Sequence, residues 1–290
     1  MRNIVRPTSP LDPDYLFRKH TPGGQDHDQQ NHAGGGSGEV KIQTGRQWID
    51  HKEGLPLDTE QHHKRGGEYT PERKALHEKI VDKYTKGIKS VPADQTPVAL
   101  IMMGGSGSGK STLDKGISEG DFVHVDADAI KGDIPEYREA VAASARDAAF
   151  MVHEESGTLA KEIREHAIQN RKNVLLDGTG KNLKDYKETV TRLRGLGYEV
   201  TVMMPDIDVE TAVGRVRARA EKTGRLVPEA AVRDIYAKVP QNFEPIARLA
   251  DNFALFDNRG KKPRLVWSKR GTEETIHDEA FVANFRRSRT

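Results

Sequence analysis

One run of sixteen residues, Val98 to Leu113 (Val-Ala-Leu-Ile-Met-Met-Gly-Gly-Ser-Gly-Ser-Gly-Lys-Ser-Thr-Leu), leaves the chain around it few ways to fold. Six apolar residues end abruptly at glycine, so a buried strand should deliver the chain to a tight turn. The turn fits G-x-x-x-x-G-K-[ST], with Gly104, Gly109, Lys110 and Ser111 at the fixed positions. Its glycines let successive backbone N–H groups curl around phosphate oxygens with no Cβ in the way. A helix opening at Lys110 aims the positive end of its dipole at the same oxygens. Gly104, Gly105, Ser106, Gly107, Ser108, Gly109, Lys110, Ser111 and Thr112 are therefore the candidate nucleotide-binding residues. Lys110 is expected to reach the β- and γ-phosphates and Ser111 to hold Mg2+, which implies ATP or GTP with Mg2+ as ligands.

The 290 residues suggest one or two domains. At 35% hydrophobic and a mean hydropathy of −0.73, the chain is too polar to be packed throughout, and part of it reads as solvated tail. A net charge of +2 gives no general argument for a nucleic-acid or membrane partner. The lack of cysteine excludes disulfides, a thiol nucleophile and cysteine-bound zinc, and fits a reducing compartment. No apolar run approaches a membrane span, and Met1 to Pro10 lacks a signal-peptide core. A soluble, cytoplasmic protein is expected.

Residues 1–68 read as a flexible arm. Thr21 to Gly38 is built of turn and linker residues, and six of the eleven histidines (His20, His27, His32, His51, His62, His63) fall in this region. A metal site through Asp26, His27, Asp28 and His32 is the rival reading, but nothing in such a segment would fix ligand geometry. From Thr70 the pattern changes. Thr70 suits an N-cap and Pro71 the first helical position. Strands are expected at the phosphate-loop run, at Phe122–Val125, at Asn173–Asp177 and at Tyr198–Met204. Helices are expected over Arg138–Val152, Ser156–Asn170, the segment capped by Asn182 and Asp185, Pro228–Val239 and Asn242–Ala250. Asn252–Asp257 and Arg264–Ser268 complete the strands. This alternation describes one doubly wound α/β domain with a parallel sheet, of the phosphate-loop kinase type, over residues 69–269, with 270–290 a C-terminal helix or tail.

Residues just past strand C-termini line the ligand crevice of such a sheet. Two strands end there in acid: one in Asp126-Ala127-Asp128, the other in Asp177-Gly-Thr-Gly-Lys181. A carboxylate at Asp128 could take a proton from a substrate hydroxyl or bind Mg2+ through water, and the alternative is a helix cap. The helix from Val209 carries Arg215, Arg217 and Arg219, with Arg225 beyond it. Arginine forks bond phosphate bidentately, so this segment reads as a lid over the nucleotide, against the plainer reading of a solvated basic face.

With these residues in place, Val98 to Arg259 resembles the zeta toxin family of phosphate-loop kinases. The resemblance rests on Gly-Gly-Ser-Gly-Ser-Gly-Lys-Ser, Val-Asp-Ala-Asp-Ala-Ile-Lys, Pro135 with Tyr137, His-Glu-Glu-Ser156, Asp-Gly-Thr-Gly-Lys181 and the Arg215/Arg225 segment. It implies transfer of the ATP γ-phosphate to the amino sugar of UDP-N-acetylglucosamine. Asp128 would be the catalytic base, with Lys110, Arg215 and Arg225 beside it. Asp126, Lys131, Asp177 and Thr179 would lie on the substrate side, and Asp128 or Asp177 would bind Mg2+ through water. Asp177 stands where the prototypes carry Glu, and Ile134 where they often carry His. An antitoxin is the partner the family implies. The Asp-His-Asp-Gln…His run of the arm resembles segments of phage head and portal proteins, which adds a phage structural partner and a virion-associated location. Two other functions stand beside this one: a kinase acting on a nucleoside, another sugar nucleotide or a nucleic-acid end, and a phage-associated structural protein carrying a nucleotide domain. No basic stripe interleaved with aromatics outside the lid supports nucleic acid.

Overall fold

The computed structural model describes residues 58–287, apart from 115–116, 118–119, 144–147, 224–226 and 261. The rival histidine metal site and the phage-like run therefore lie outside the described residues. The described chain opens with α1 (Thr59–His63), a hairpin of β1 (Lys64–Arg65) and β2 (Glu68–Tyr69), and α2 (Pro71–Thr85). Then come β3 (Val98–Met102), α3 (Lys110–Asp114), β4 (Val123–Asp126), α4 (Ala127–Ile130), α5 (Pro135–Ala142), α6 (Ala148–Met151), α7 (His153–Gln169) and β5 (Val174–Asp177). The chain continues through α8 (Leu183–Gly195), β6 (Glu199–Asp206), α9 (Val209–Thr223), α10 (Glu229–Ala247), β7 (Asn252–Asp257), β8 (Arg264–Arg270), β9 (Glu273–Ile276) and α11 (Glu279–Arg287).

Among the described residues the main sheet runs β4-β5-β3-β6-β7-β8-β9. The strands from β4 to β7 are parallel, while β8 and β9 are antiparallel additions. Strand β3 lies between β5 and β6 and is buried on both faces: Ala99 and Ile101 enter one core, Leu100 and Met102 the other. A strand covered on both sides reads as a continuous apolar run, which is why Val98–Met102 carries no polar residue. The chain builds β4 and β5 to one side of β3, then β6 and β7 to the other, so the crevice at the C-terminal end of β3 is the switch point of the sheet.

Several boundaries differ from expectation. The arm does not extend to 68. Thr59 is buried and its hydroxyl bonds Glu155, while the Asp58 carboxylate accepts from the N–H groups of Glu60 and Glu154. Residues 58–69 are thus fastened to α7. The proposed end at 269 falls inside β8, and β9 and α11 belong to the same body, with Val282 and Phe285 in the main core. The two helices expected over 228–250 are one, α10, which runs through Pro240 and Pro245. An interior proline costs a helix about 3 kcal/mol. Here Val239, Phe243, Ile246 and Ala247 are buried, and Phe243 packs edge-on against Phe253, Trp267 and Phe285, which outweighs that cost. The helix expected over 138–152 is two, α5 and α6.

The N-terminal unit is held by buried charge. Arg73 bonds Glu155 through Nε at 2.5 Å and Glu136 through Nη1 at 2.9 Å, and His77 Nε2 lies 2.8 Å from Glu155. Burial opposes ionisation of Glu155, but the bonds from Arg73, His77 and Thr59 hold its carboxyl at about 2. Burial likewise disfavours charge on His77, and the bonds to Glu155 and Glu162 overcome it and push the imidazole up to about 9. A raised histidine stabilises the fold fully below its unfolded value and loses that contribution as pH rises through the folded one. Stability should therefore fall between pH 6.5 and 9, by up to about 3 kcal/mol from this group. Thermal unfolding of wild type and His77→Gln across that range checks it. The two curves should converge toward pH 9, and a constant gap would refute the linkage.

Candidate active site

The loop after β3 takes its shape from glycines that no other residue could replace without strain. Gly104, Gly107 and Gly109 have φ of 138°, 83° and 94°. A Cβ on Gly104 would lie 2.7 Å from Ser108 Oγ, and one on Gly107 would lie 2.7 Å from the Ala212 carbonyl of α9. The loop is anchored at its start by main-chain bonds: Met103 N–H donates to Met203, and Gly104 N–H to the Thr179 carbonyl. Lys110 folds back so that Nζ bonds the Gly104 carbonyl at 2.6 Å and lies 3.5 Å from Asp177. An amine held there, at the mouth of a backbone cradle, can turn onto an incoming phosphate.

The loop forms the floor of a cleft of about 620 Å³. Gly105, Ser106, Gly107, Gly109, Lys110, Ser111 and Thr112 line it, facing Asp126, Asp128, Asp177 and Thr179, with Arg215 and Arg219 closing one side. The structure thus brings together the phosphate loop, both strand-end acids and the arginine helix. Register explains the acids. Asp126 pairs with Asp177 across β4 and β5, and Asp177 with Met102 across β5 and β3, so both acids end level with the strand that feeds the loop.

Individual roles separate. Asp126, not Asp128, caps α4, its carboxylate accepting from the Asp128 N–H at 2.8 Å. Asp128 stands half-exposed in the cleft with Lys131 Nζ 3.0 Å from its Oδ1. Lys131, expected on the substrate side, is itself buried and directed at Asp128. Arg215 is turned onto the loop's own backbone, with Nη1 3.4 Å from the Gly107 carbonyl and Nη2 3.0 Å from the Asn258 carbonyl. Arg217 points away and pairs with Glu229. Arg225 lies outside the described residues. Arg219 and Asn258 line the cleft without having been assigned a role from sequence. Arg219 was in principle legible, since it sits one helical turn beyond Arg215 on the same face.

Burial pushes the Asp177 carboxyl up to about 6, against the attraction of Lys110 and with help from Asp126 and Asp114. Beneath the loop, Asp114, His124 and Asp177 each bring a ligand atom within 4.8 Å of the others. Asp114 Oδ1 and His124 Nε2 are buried without a hydrogen-bond partner. Of these three, Asp177 alone lines the cleft with Ser111. Their oxygen donors in the open cleft fit Mg2+, which keeps several waters and is completed by phosphate oxygens.

The family model described as Zeta toxin matches residues 81–281. Toxin zeta of Streptococcus agalactiae is 26% identical over 197 residues, covering 64% of this chain and 68% of that protein. Toxin zeta of Streptococcus pyogenes is 24% identical over 201 residues, covering 65% and 70%. Among solved structures, a chain of the PezAT chromosomal toxin-antitoxin system of Streptococcus pneumoniae superposes with a TM-score of 0.55 at 21% identity, covering 66% of this chain and 79% of that one. A chain of the AvrRxo1-ORF1:-ORF2 assembly crystallised with ATP gives 0.63 at 17% identity, covering 76% and 74%. These structures share the fold.

The cradle predicts the outcome of one substitution. Gly107→Ala places a methyl against the Ala212 carbonyl at a left-handed φ, which costs about 1–3 kcal/mol and must move either the loop or α9. Calorimetric titration with ATP should show at least tenfold weaker binding than wild type, while the unfolding midpoint shifts only a few degrees. Unchanged affinity would mean that the loop is not a phosphate cradle.

Proposed function

The chain belongs to the zeta toxin family, and on that premise we propose that it is an ATP-dependent phosphotransferase, taking the γ-phosphate to a hydroxyl of a nucleotide sugar. The observation that carries this is the single cleft in which the glycine loop with Lys110 faces Asp128. Backbone N–H groups of residues 105–111 bind the phosphates, Lys110 leaves the Gly104 carbonyl to neutralise them, and Ser111 would hold Mg2+ together with Asp177 or Asp128 acting through water. The cation supplies charge neutralisation at the phosphates when bound.

Asp128 is the base. Its carboxylate faces the cleft and is oriented by Lys131, so an acceptor hydroxyl lying against it loses its proton to Oδ as the oxygen bonds to the γ-phosphorus and the bond to the β–γ bridging oxygen breaks, releasing ADP. Little covalent work falls to the protein. Positioning and electrostatics carry the acceleration, and Arg219 on the cleft wall stabilises charge that builds on the transferring group, the role the family resemblance also gives to Arg225. Arg215 contributes by bracing the loop. Asp126 holds α4 and thereby sets the position of Asp128.

UDP-N-acetylglucosamine is the acceptor the family resemblance favours. One observation favours a different sugar nucleotide: Asp177, at the end of β5, is a methylene shorter than the glutamate of the prototypes and is drawn toward Lys110. An antitoxin that covers the cleft is the partner in this reading. Its support is the likeness to a chain of a toxin-antitoxin system. No helix among the described residues is long and apolar enough to cross a membrane.

Purified protein with labelled ATP and a panel of nucleotide sugars, nucleosides and oligonucleotides tests the proposal. Wild type should label a nucleotide sugar, and Lys110→Ala should not. Asp128→Asn should still bind ATP but transfer on the order of 10²–10⁴ times more slowly. Full turnover by Asp128→Asn would remove the base, and labelling of oligonucleotides alone would move the acceptor to nucleic acid.

A further inference from the structure

The phosphate loop is held from outside by a residue far downstream in the chain. Asn258 follows β7 and is 4% exposed. Its main-chain N–H donates to the Asp206 carbonyl at 2.9 Å, and its own carbonyl accepts from Arg215 Nη2 at 3.0 Å. Its side-chain Nδ2 donates to the Ser108 carbonyl at 2.6 Å. That carbonyl can only accept, so the amide must present its NH2 group to it. The fit is close, because a Cβ on Gly109 would overlap Asn258 Nδ2.

The Ser108 carbonyl and the Gly109 N–H belong to one planar trans peptide and point in opposite directions. Asn258 and Gly109 both line the cleft, and holding the Ser108 carbonyl on Asn258, at the cleft wall, turns the Gly109 N–H the opposite way. Glycine at 109, with φ of 94°, gives this peptide no side-chain resistance to flipping, so something else must set it. Arg215 bonds the preceding carbonyl, of Gly107, in the same manner but at 3.4 Å. Asn258 makes the shorter bond.

We propose that Asn258 is a positioning residue for the phosphate donor: through the Ser108 carbonyl it fixes the 108–109 peptide with the Gly109 N–H directed at the nucleotide phosphates. The inference rests on the loop being a nucleotide site. It adds a strut that ties the end of β7 to the cradle across the sheet. A residue that acts through the loop affects ATP, so its loss weakens ATP binding and leaves the acceptor's KM where it was.

The test compares wild type, Asn258→Ala and Asn258→Asp by calorimetric titration with ATP and by the 15N–1H resonance of Gly109. Aspartate keeps the shape of asparagine but sets a carboxylate against a carbonyl, whereas alanine leaves that carbonyl to water. A strut orders the affinities Asn, then Ala at about tenfold weaker, then Asp weaker still. A residue that merely packs would leave Asp close to wild type and Ala weakest. The Gly109 resonance should move on ATP addition in wild type and much less in both variants. In the wild type alone, the Nδ2 protons of Asn258 should exchange slowly with solvent, and this needs no variant to fold. Fast exchange, wild-type affinity in Asn258→Asp, or an equal Gly109 shift in all three overturns the strut while ATP binding stands. Absence of ATP binding by the wild type overturns the nucleotide reading and the strut together.

Discussion

A backbone cradle for anions has to be forced into shape, because a run of N–H groups turned to one side leaves the matching carbonyls turned to the other. Everything around residues 104–109 answers that requirement. Left-handed glycines permit the curl. The Gly107 and Ser108 carbonyls are then taken up by Arg215 and Asn258, and the Gly104 carbonyl by Lys110. The Ser106 carbonyl lies 3.4 Å from the Tyr236 hydroxyl of α10. Apart from Lys110, these partners come from α9, α10 and the end of β7, so elements of the C-terminal half of the chain serve as the mould for one short loop. The local cost of the loop's conformation is met by burial elsewhere, in the aromatic cluster around Phe243 and the double-sided core of β3.

The opposite wall of the cleft is organised by charge. The strand-end acids Asp126 and Asp177 sit side by side in register and would repel each other strongly in a dry site. Lys110 stands next to one of them, and the cap bond to α4 occupies the other. What remains is a concentration of carboxylates beside the loop, with Asp114 adding to it, in a place where a cation and a polyphosphate would complete each other. The N-terminal unit contributes at a distance. Arg73 and His63 bond Glu136, and Tyr84 bonds Asp133, so α1 and α2 steady the segment that follows α4 and carries Lys131. The segment in turn orients Asp128.

The legible parts of this chain were those whose chemistry is written in consecutive residues. The phosphate loop, the Thr70 and Asn182 caps, the buried strands and the strand-end acids each declare themselves within a few positions, and each is found where sequence reasoning placed it. What was not legible depends on distant partners. Asn258 looks like a turn residue until Ser108 is beside it. Arg215 reads as a phosphate clamp on the family resemblance, and its bonds to the Gly107 and Asn258 carbonyls could not be read from the sequence. Residues 58–68 looked like tail because their polar side chains have no local reason to be ordered, and it is Glu155 and α7 that order them. The helix reads as broken after Val239, at Pro240, because sequence shows the cost of proline and not the packing of α10 that overrides it.

The central claim is geometric: the loop wraps the triphosphate and Asp128 stands in line with its γ end. A crystal structure grown with a non-hydrolysable ATP analogue and Mg2+ tests this most directly. The β- and γ-phosphates should lie within hydrogen-bond distance of the backbone N–H groups of residues 105–111, with Lys110 moved from the Gly104 carbonyl onto them and Asp128 facing the γ-phosphate across the open cleft. A nucleotide bound elsewhere, or an Asp128 carboxylate turned away from the γ-phosphate, would contradict it.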